Sequence, residues 1–296
     1  MHFCLQEVSV SDLVIQLIEK LADNPASYLS ESWITSQLQM TSPEVPSGTA
    51  QRFRNRLLHV AIETKLFPVT EALLIAGAQV DAYLQGKTPL IVSAKKGDES
   101  IVQLLVRWNA SLESKDSDKC TPLLLATMNG HNSTIRSLDI LGAQKEVNDM
   151  DHQTPLHLTA MNGHSSTVQF LIKTLSTNMN ARDYDKRTPL HLAAINGHDS
   201  TVRLLIEALG ADKEAIDNMN WTPLHLTAMN GHDSTAQLLV KTLGTNMEAE
   251  SYDKQTPLHL AAMNGHDSTV RLLGETLGTN MDAKDCNKRT CYTLQL

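Results

Sequence analysis

Residues 256–266 read Thr256-Pro-Leu-His-Leu-Ala-Ala-Met-Asn-Gly-His266, and residues 188–198 read Thr188-Pro-Leu-His-Leu-Ala-Ala-Ile-Asn-Gly-His198. The same Thr-Pro-Leu opening stands at Thr88, Thr121, Thr154 and Thr222, so that the six starts are spaced by 33, 33, 34, 34 and 34 residues. Arg56 opens a weaker copy, Arg56-Leu-Leu-His-Val-Ala61, and Thr290 stands where a further copy would begin. Self-similarity at such a fixed period marks an array of small supersecondary units.

Each copy states its own local structure. Thr suits a helix N-cap, and Pro suits the first helical position, where its missing N–H costs nothing. Leu, Leu and Ala-Ala then give a short first helix with a small face. Nine residues after each Thr stands a glycine (Gly97, Gly130, Gly163, Gly197, Gly231, Gly265), which ends that helix in a left-handed conformation. Two residues further, Asn132, Ser165, Asp199, Asp233 and Asp267 suit the N-cap of a second helix. Apolar residues in that helix keep helical spacing, as in Val202, Leu205 and Leu209, and a second glycine closes most copies (Gly77, Gly142, Gly210, Gly244, Gly278). Thr134 to Gly142 is one residue shorter than Thr201 to Gly210, so the longer copies hold their extra residue inside the second helix. A longer or bulged helix end is expected there, not a longer loop.

Over roughly residues 51–290 this pattern resembles the ankyrin-repeat family, and the near-identical copies are similar to long arrays of filamentous fungi and some intracellular bacteria. The resemblance implies an all-α ankyrin-repeat solenoid of stacked helix-turn-helix units joined by hairpin-like finger loops. One copy cannot bury its apolar face alone, so seven stacked helix pairs are expected, the first degenerate. The family usually places Gly two residues before the repeat Thr, and only Gly86 obeys. Lys119, His152, Lys186, Asn220, Lys254 and Lys288 stand elsewhere, which predicts less well formed finger turns.

Outside the array, residues 1–50 form a helical cap or tail with a linker, leaving 51–296 to the repeats. Ser11 to Ala22 patterns as an amphipathic helix with Leu13, Leu17 and Leu21 spaced by four; Asn24-Pro25 breaks it, Ala26 to Met40 suits a second helix, and residues 42–48 read as a linker. Capping of the first repeat is the expected role. The final residues, Arg289 to Leu296, read as a frameshifted or truncated continuation of the array.

The chain's chemistry excludes more than it offers. Its 296 residues carry 41% hydrophobic and 20% charged residues, which suits a folded chain. No apolar run approaches the ~18 residues that span a bilayer, and the N-terminus lacks the pattern of a secretory signal. Four cysteines (Cys4, Cys120, Cys286, Cys291) are too few and scattered for a disulfide or zinc scaffold, so a reducing compartment, cytosol or nucleus, is expected. A net charge of -8 argues against a general grip on nucleic acid or anionic membrane. Ten of the 12 histidines fall three or ten residues after the repeat Thr or its equivalent, a repeated scaffold position and not one convergent catalytic constellation. The Thr–His pair of Thr-Pro-Leu-His reads as a local hydrogen bond. Gly-His-Asp-Ser at residues 197–200 cannot form a hydrolase triad, because base and nucleophile need facing geometry. No phosphate loop, HExxH or CxxC stands out, so neither enzyme activity nor a cofactor is expected.

What remains is surface. Partners of the family usually bind the concave face of finger tips and first helices, and here the residues before each Thr vary while scaffold positions hardly change. Tyr184, Arg187, Trp221, Tyr252 and Gln255 are the candidate contacts, being in part the residue types enriched in interface hot spots. Met161, Ile195, Met229 and Met263, seven after the Thr, form an apolar row, either core beneath the fingers or an adaptable floor for a partner. The acidic residues recurring after most second helices (Asp81, Glu113, Glu146, Glu214, Glu248, Asp282) read as a solvated rim that would also suit basic partners. The expected function is therefore a monomeric, non-catalytic protein-binding module. The alternative is a structural spacer or remnant of a larger multidomain protein; burial of Tyr184, Trp221 and Tyr252 would favour it.

Overall fold

The computed structural model describes residues 49–145 and 147–294; the readings of residues 1–48, and of Glu146, lie outside them. The described residues are helical, with one isolated antiparallel bridge between Leu84 and Lys87. Helices follow as α1 (Thr49–Glu63), α2 (Phe67–Ile75), α3 (Pro89–Lys96), α4 (Glu99–Arg107), α5 (Pro122–Met128), α6 (Asn132–Ile140), α7 (Pro155–Met161) and α8 (Ser165–Leu175). Then come α9 (Pro189–Ile195), α10 (Asp199–Arg203), α11 (Pro223–Met229), α12 (Asp233–Gln237), α13 (Pro257–Met263), α14 (Asp267–Arg271) and α15 (Cys291–Leu294). From α3 onward they alternate as the repeat demands, a short first helix opened by Thr-Pro and a second helix after the glycine, whereas α1 is longer and lacks the Thr-Pro opening.

Two compact units are present, residues 49–126 with 133–144 and residues 127–132 with the described part of 145–294. In the first, Leu57, Leu58 and Ile62 of α1 are buried with Leu73 and Leu74 of α2, Leu90 and Ile91 of α3, and Ile101 and Leu105 of α4. Thr88 caps α3 by accepting the Ile91 N–H at 3.3 Å, and Asp98 caps α4 by accepting the Ile101 N–H at 3.1 Å. In the second, the first helices are enveloped: residues 155–160, 189–194, 223–228 and 257–262 are buried throughout. That explains their Ala-Ala or Thr-Ala pairs, which let neighbouring backbones approach.

The extra residue of the longer copies sits where its sequence register places it. α10, α12 and α14 each continue into a π-helical turn, Leu204–Ala208, Leu238–Thr242 and Leu272–Thr276, while α8 takes up its extra residue by running on to Leu175. A π turn is the usual way for a helix to absorb a one-residue insertion.

Two local expectations need correction. Ser165, Asp199, Asp233 and Asp267 begin their helices as the first helical residue, and the residue before each, a histidine, holds the N-cap position without a side-chain cap bond. Their side chains work between repeats instead. Asp199 accepts a hydrogen bond from the buried Thr235 hydroxyl, Asp233 accepts one from Thr269 at 2.5 Å, and Ser165 pairs with Thr201 at 2.8 Å. Asn132 begins α6 likewise.

The finger turns are also better formed than the missing glycines imply. Lys119, His152, Lys186, Asn220, Lys254 and Lys288 all adopt left-handed φ between 55° and 62°. A side-chain acceptor braces each turn: the buried Asp217 takes the N–H groups of Met219 and Trp221 at 2.8 and 2.9 Å, Asp285 those of Asn287 and Arg289, and Ser251 those of Asp253 and Gln255. The strain is nevertheless real, since a left-handed L-residue costs roughly 1–2 kcal/mol. Lys186→Gly and Lys254→Gly are each expected to stabilise the protein by about 0.5 kcal/mol, the relief exceeding the added chain entropy of glycine. A higher urea midpoint for the double variant is the measurement; an unchanged or lower one contradicts the expectation.

Candidate functional site

In the second unit the finger tips are fastened to one another by backbone. The N–H of Tyr184 donates to the Asp151 carbonyl at 3.0 Å, Asn218 to Asp185 at 2.9 Å, Tyr252 to Met219 at 3.3 Å and Cys286 to Asp253 at 2.9 Å. Residues four before each repeat Thr are thereby held in file on consecutive fingers. Tyr184 is 75% exposed and Tyr252 71%. Asn218, between them in sequence order, donates its side-chain amide to the Tyr184 carbonyl at 3.2 Å. The His152 ring lies 6.2 Å from that of Tyr184, centroid to centroid.

The other candidates are placed less freely. Trp221 is half-buried. Arg187 is half-buried too, its guanidinium 3.3 Å from Asp185 and 3.6 Å from the buried Asp217 carboxylate of the next finger. Gln255, expected at the surface, is buried, and its amide lies 3.2 Å from the Met263 sulfur. This contact joins the base of a finger to the end of the following first helix, the junction that the apolar row occupies. Met161, Ile195 and Met229 are half-buried there and Met263 is exposed, so the row is neither sealed core nor open floor.

Beneath the surface lies a ladder of histidines. His157, His191, His225 and His259 are buried, and each takes the backbone N–H of its Thr on Nδ1 at 3.1–3.2 Å. That fixes the ring proton on Nε2, which donates to a carbonyl of the next finger: Arg187 at 3.0 Å, Trp221 at 3.2 Å, Gln255 at 3.0 Å and, for His259, Ala283 at 3.0 Å. The pair read locally from Thr-Pro-Leu-His is thus also a latch holding the finger that follows. Burial pushes His191 and His225 down to about 4, with the carbonyl bonds only partly offsetting it; His59 and His157 are lowered for the same reason. Burial raises the finger carboxylates Asp149 and Asp183.

A second histidine set reaches the other way. Nε2 of His164, His198, His232 and His266 bonds to the carbonyls of Met128, Met161, Ile195 and Met229 at 2.9–3.1 Å. The acidic residues after the second helices are likewise ties. Glu214 accepts the Asn246 N–H and Glu248 the Asn280 N–H, each at 2.8 Å; in the first unit, Glu113 accepts the Gln144 N–H at 2.8 Å and Asp81 the Ser111 N–H at 3.0 Å. Glu248 is exposed and the other three are half-buried, so all four meet solvent as a rim requires, and in addition each reaches across one repeat to a backbone donor. Sequence reasoning missed this, although their fixed register was the signal.

Among the described residues, no three His, Cys, Asp or Glu side chains converge as a metal ion would require, and no helix is long and apolar enough to cross a membrane. A shallow hollow of about 430 Å³ lies between Glu214, Ile216, Asn220, Gly244 and Glu250.

Comparison with known proteins accords with this construction. A family model described as ankyrin repeats (3 copies) matches residues 58–149, 134–217 and 209–285. No curated protein matches the chain.

Proposed function

Because this chain belongs to the ankyrin-repeat family, whose repeats generally mediate protein–protein interactions, we propose that it is a non-catalytic, monomeric binding module. It recognises another protein through the finger tips and first helices of its second unit. Tyr184 and Tyr252 are the principal anchors, flanked by Trp221 and Arg187, with Met161, Ile195, Met229 and Met263 as an adaptable apolar border. Nucleic acid and membrane are not its ligands, given the net charge of -8, and it works in the cytosol or nucleus.

The observation that carries this reading is the contrast around the two tyrosines. The finger backbones are bonded to their neighbours, yet the rings stand 75% and 71% exposed. A tyrosine has two side-chain torsions to fix, so on a backbone already held it offers a large contact area at low entropic cost on binding. A spacer has no use for them.

The test is capture of partners from source-cell lysate by wild type and by a Tyr184→Ala, Tyr252→Ala variant. Because both rings are exposed, the variant should keep its stability within about 0.5 kcal/mol. Partner affinity should fall by about 2 kcal/mol or more per anchor, roughly 30-fold each. A partner retained equally by the folded variant would move the binding surface elsewhere; no specific partner for either would favour the spacer.

A further inference from the structure

An asparagine followed by glycine is chemically exposed, because glycine has no side chain to shield its backbone nitrogen. That nitrogen can attack the neighbouring amide carbon, expel ammonia and close a cyclic imide. The pair occurs five times, at Asn129, Asn162, Asn196, Asn230 and Asn264, each followed by glycine. Residues 228–235 and 262–269 are identical, Ala-Met-Asn-Gly-His-Asp-Ser-Thr, so whatever separates Asn230 from Asn264 is tertiary.

Local conformation matches as well. Asn162, Asn196, Asn230 and Asn264 follow their helices with φ between −96° and −101° and ψ between 0° and 5°. Each donates its side-chain amide to the leucine carbonyl four residues back at 2.8–2.9 Å. The N–H of each following glycine is bonded to an alanine carbonyl at 3.2–3.3 Å, turned into the helix. Reaction therefore needs the Asn–Gly link to rotate. What resists that rotation differs between copies. The histidine of the following copy lies over Gly130, Gly163, Gly197 and Gly231: a Cβ on these glycines would stand 2.6–3.0 Å from the rings of His164, His198, His232 and His266. The same rings bond through Nε2 to the carbonyl just before each asparagine at 2.9–3.1 Å. These four links are pinned. At Gly265, among the described residues, nothing lies within 4 Å of the Cβ position, and Gly265 is exposed where the other four glycines are half-buried.

We propose that Asn264 is a site of spontaneous deamidation in the folded protein, with Gly265 supplying the nucleophile, and that the stacked histidines shield the other four asparagines. The Gly265 nitrogen gives its proton to solvent base and bonds to Cγ of Asn264; the Cγ–Nδ2 bond breaks and the amide nitrogen leaves as ammonia. Water then opens the imide at either carbonyl, giving aspartate or isoaspartate. Both products replace the amide that donates to the Leu260 carbonyl by a carboxylate, an acceptor facing an acceptor. The isoaspartyl form also adds a carbon to the main chain, where the N–H groups of Gly265 and His266 bond to Ala262 and Ala261. The turn between α13 and α14 is thereby loosened.

The test holds the full chain at mildly alkaline pH and follows the amide-to-acid mass gain at each asparagine by peptide mapping. Asn264 is expected to convert about tenfold faster than the other four, the factor supplied by one further hydrogen bond to break in opening. Equal rates at Asn230 and Asn264 would overturn the proposal. In the urea-unfolded chain those two rates should coincide; a difference persisting there would overturn it too. His266→Ala of unchanged helicity should bring Asn230 up to the rate of Asn264, and an Asn230 rate unmoved by that substitution contradicts the shielding.

Discussion

Gly231→Ala is expected to cost about 3 kcal/mol, against about 1 kcal/mol for Gly265→Ala, two residues that look alike in sequence. Both hold φ +71°, which an L-residue adopts only with strain. They differ in what a methyl would meet. A Cβ at Gly231 would lie 2.6 Å from Nδ1 and 2.8 Å from Cγ of His266, whereas one at Gly265 meets nothing within 4 Å. The His266 ring cannot simply swing aside, because its Nε2 is bonded to the Met229 carbonyl at 2.9 Å. Urea midpoints of the two variants measure the difference. His266→Ala in the Gly231→Ala background should recover the steric part, and that coupling separates the clash from the backbone strain. Equal costs at the two glycines would show that the ring contact carries no weight.

Mild acid should loosen the array through its buried histidines. An unfolded histidine titrates near 6.5, while His191 and His225 are held to about 4 when folded. Between these values the unfolded chain binds more protons, so stability is full above pH 6.5 and falls as the pH drops towards 4. At 1.36 kcal/mol per unit, each residue gives up about 2 kcal/mol by pH 5 and on the order of 3 kcal/mol by pH 4. His59 and His157 shift in the same direction and add to the slope. Asp149 and Asp183, raised by burial, act oppositely and offset part of the histidine slope as the pH falls. Urea midpoints from pH 7.5 to 5 should fall accordingly. His191→Leu should be less stable at pH 7.5, having lost the bonds to Thr188 and Trp221, yet show a shallower slope. Leucine fits such a place, since Leu124 holds it in another copy. A flat profile in wild type would remove the latch from the account of stability.

These two predictions divide as the molecule does. Thr-Pro at the head of a first helix and glycine at its end act through their own backbone and the next few residues, so the bounds of the first helices were readable from the chain, whereas the starts of the second helices and the glycine-free finger turns were not. The bulge was readable too, because one inserted residue between fixed landmarks must be absorbed where it falls. Exposure of the finger tyrosines depends on how neighbouring fingers pack, and the burial of Gln255 beside Met263 had no local signature. Arg187 was read as a candidate partner contact, and Asp217 of the next finger lies within reach of it.

The sequence by itself determined the period, the helices and the chemistry of each repeated position, because these depend on interactions within a few bonds along the chain. Only the tertiary structure decided the partners of those positions. His232 reaches 37 residues back to Ile195, Thr235 donates 36 residues back to Asp199, and Glu214 accepts 32 residues ahead from Asn246. Such pairings are set by the offset at which one repeat stacks on the next. A polar side chain with its donor or acceptor one repeat away then becomes a tie, where its spacing alone suggested a cap or a solvated rim.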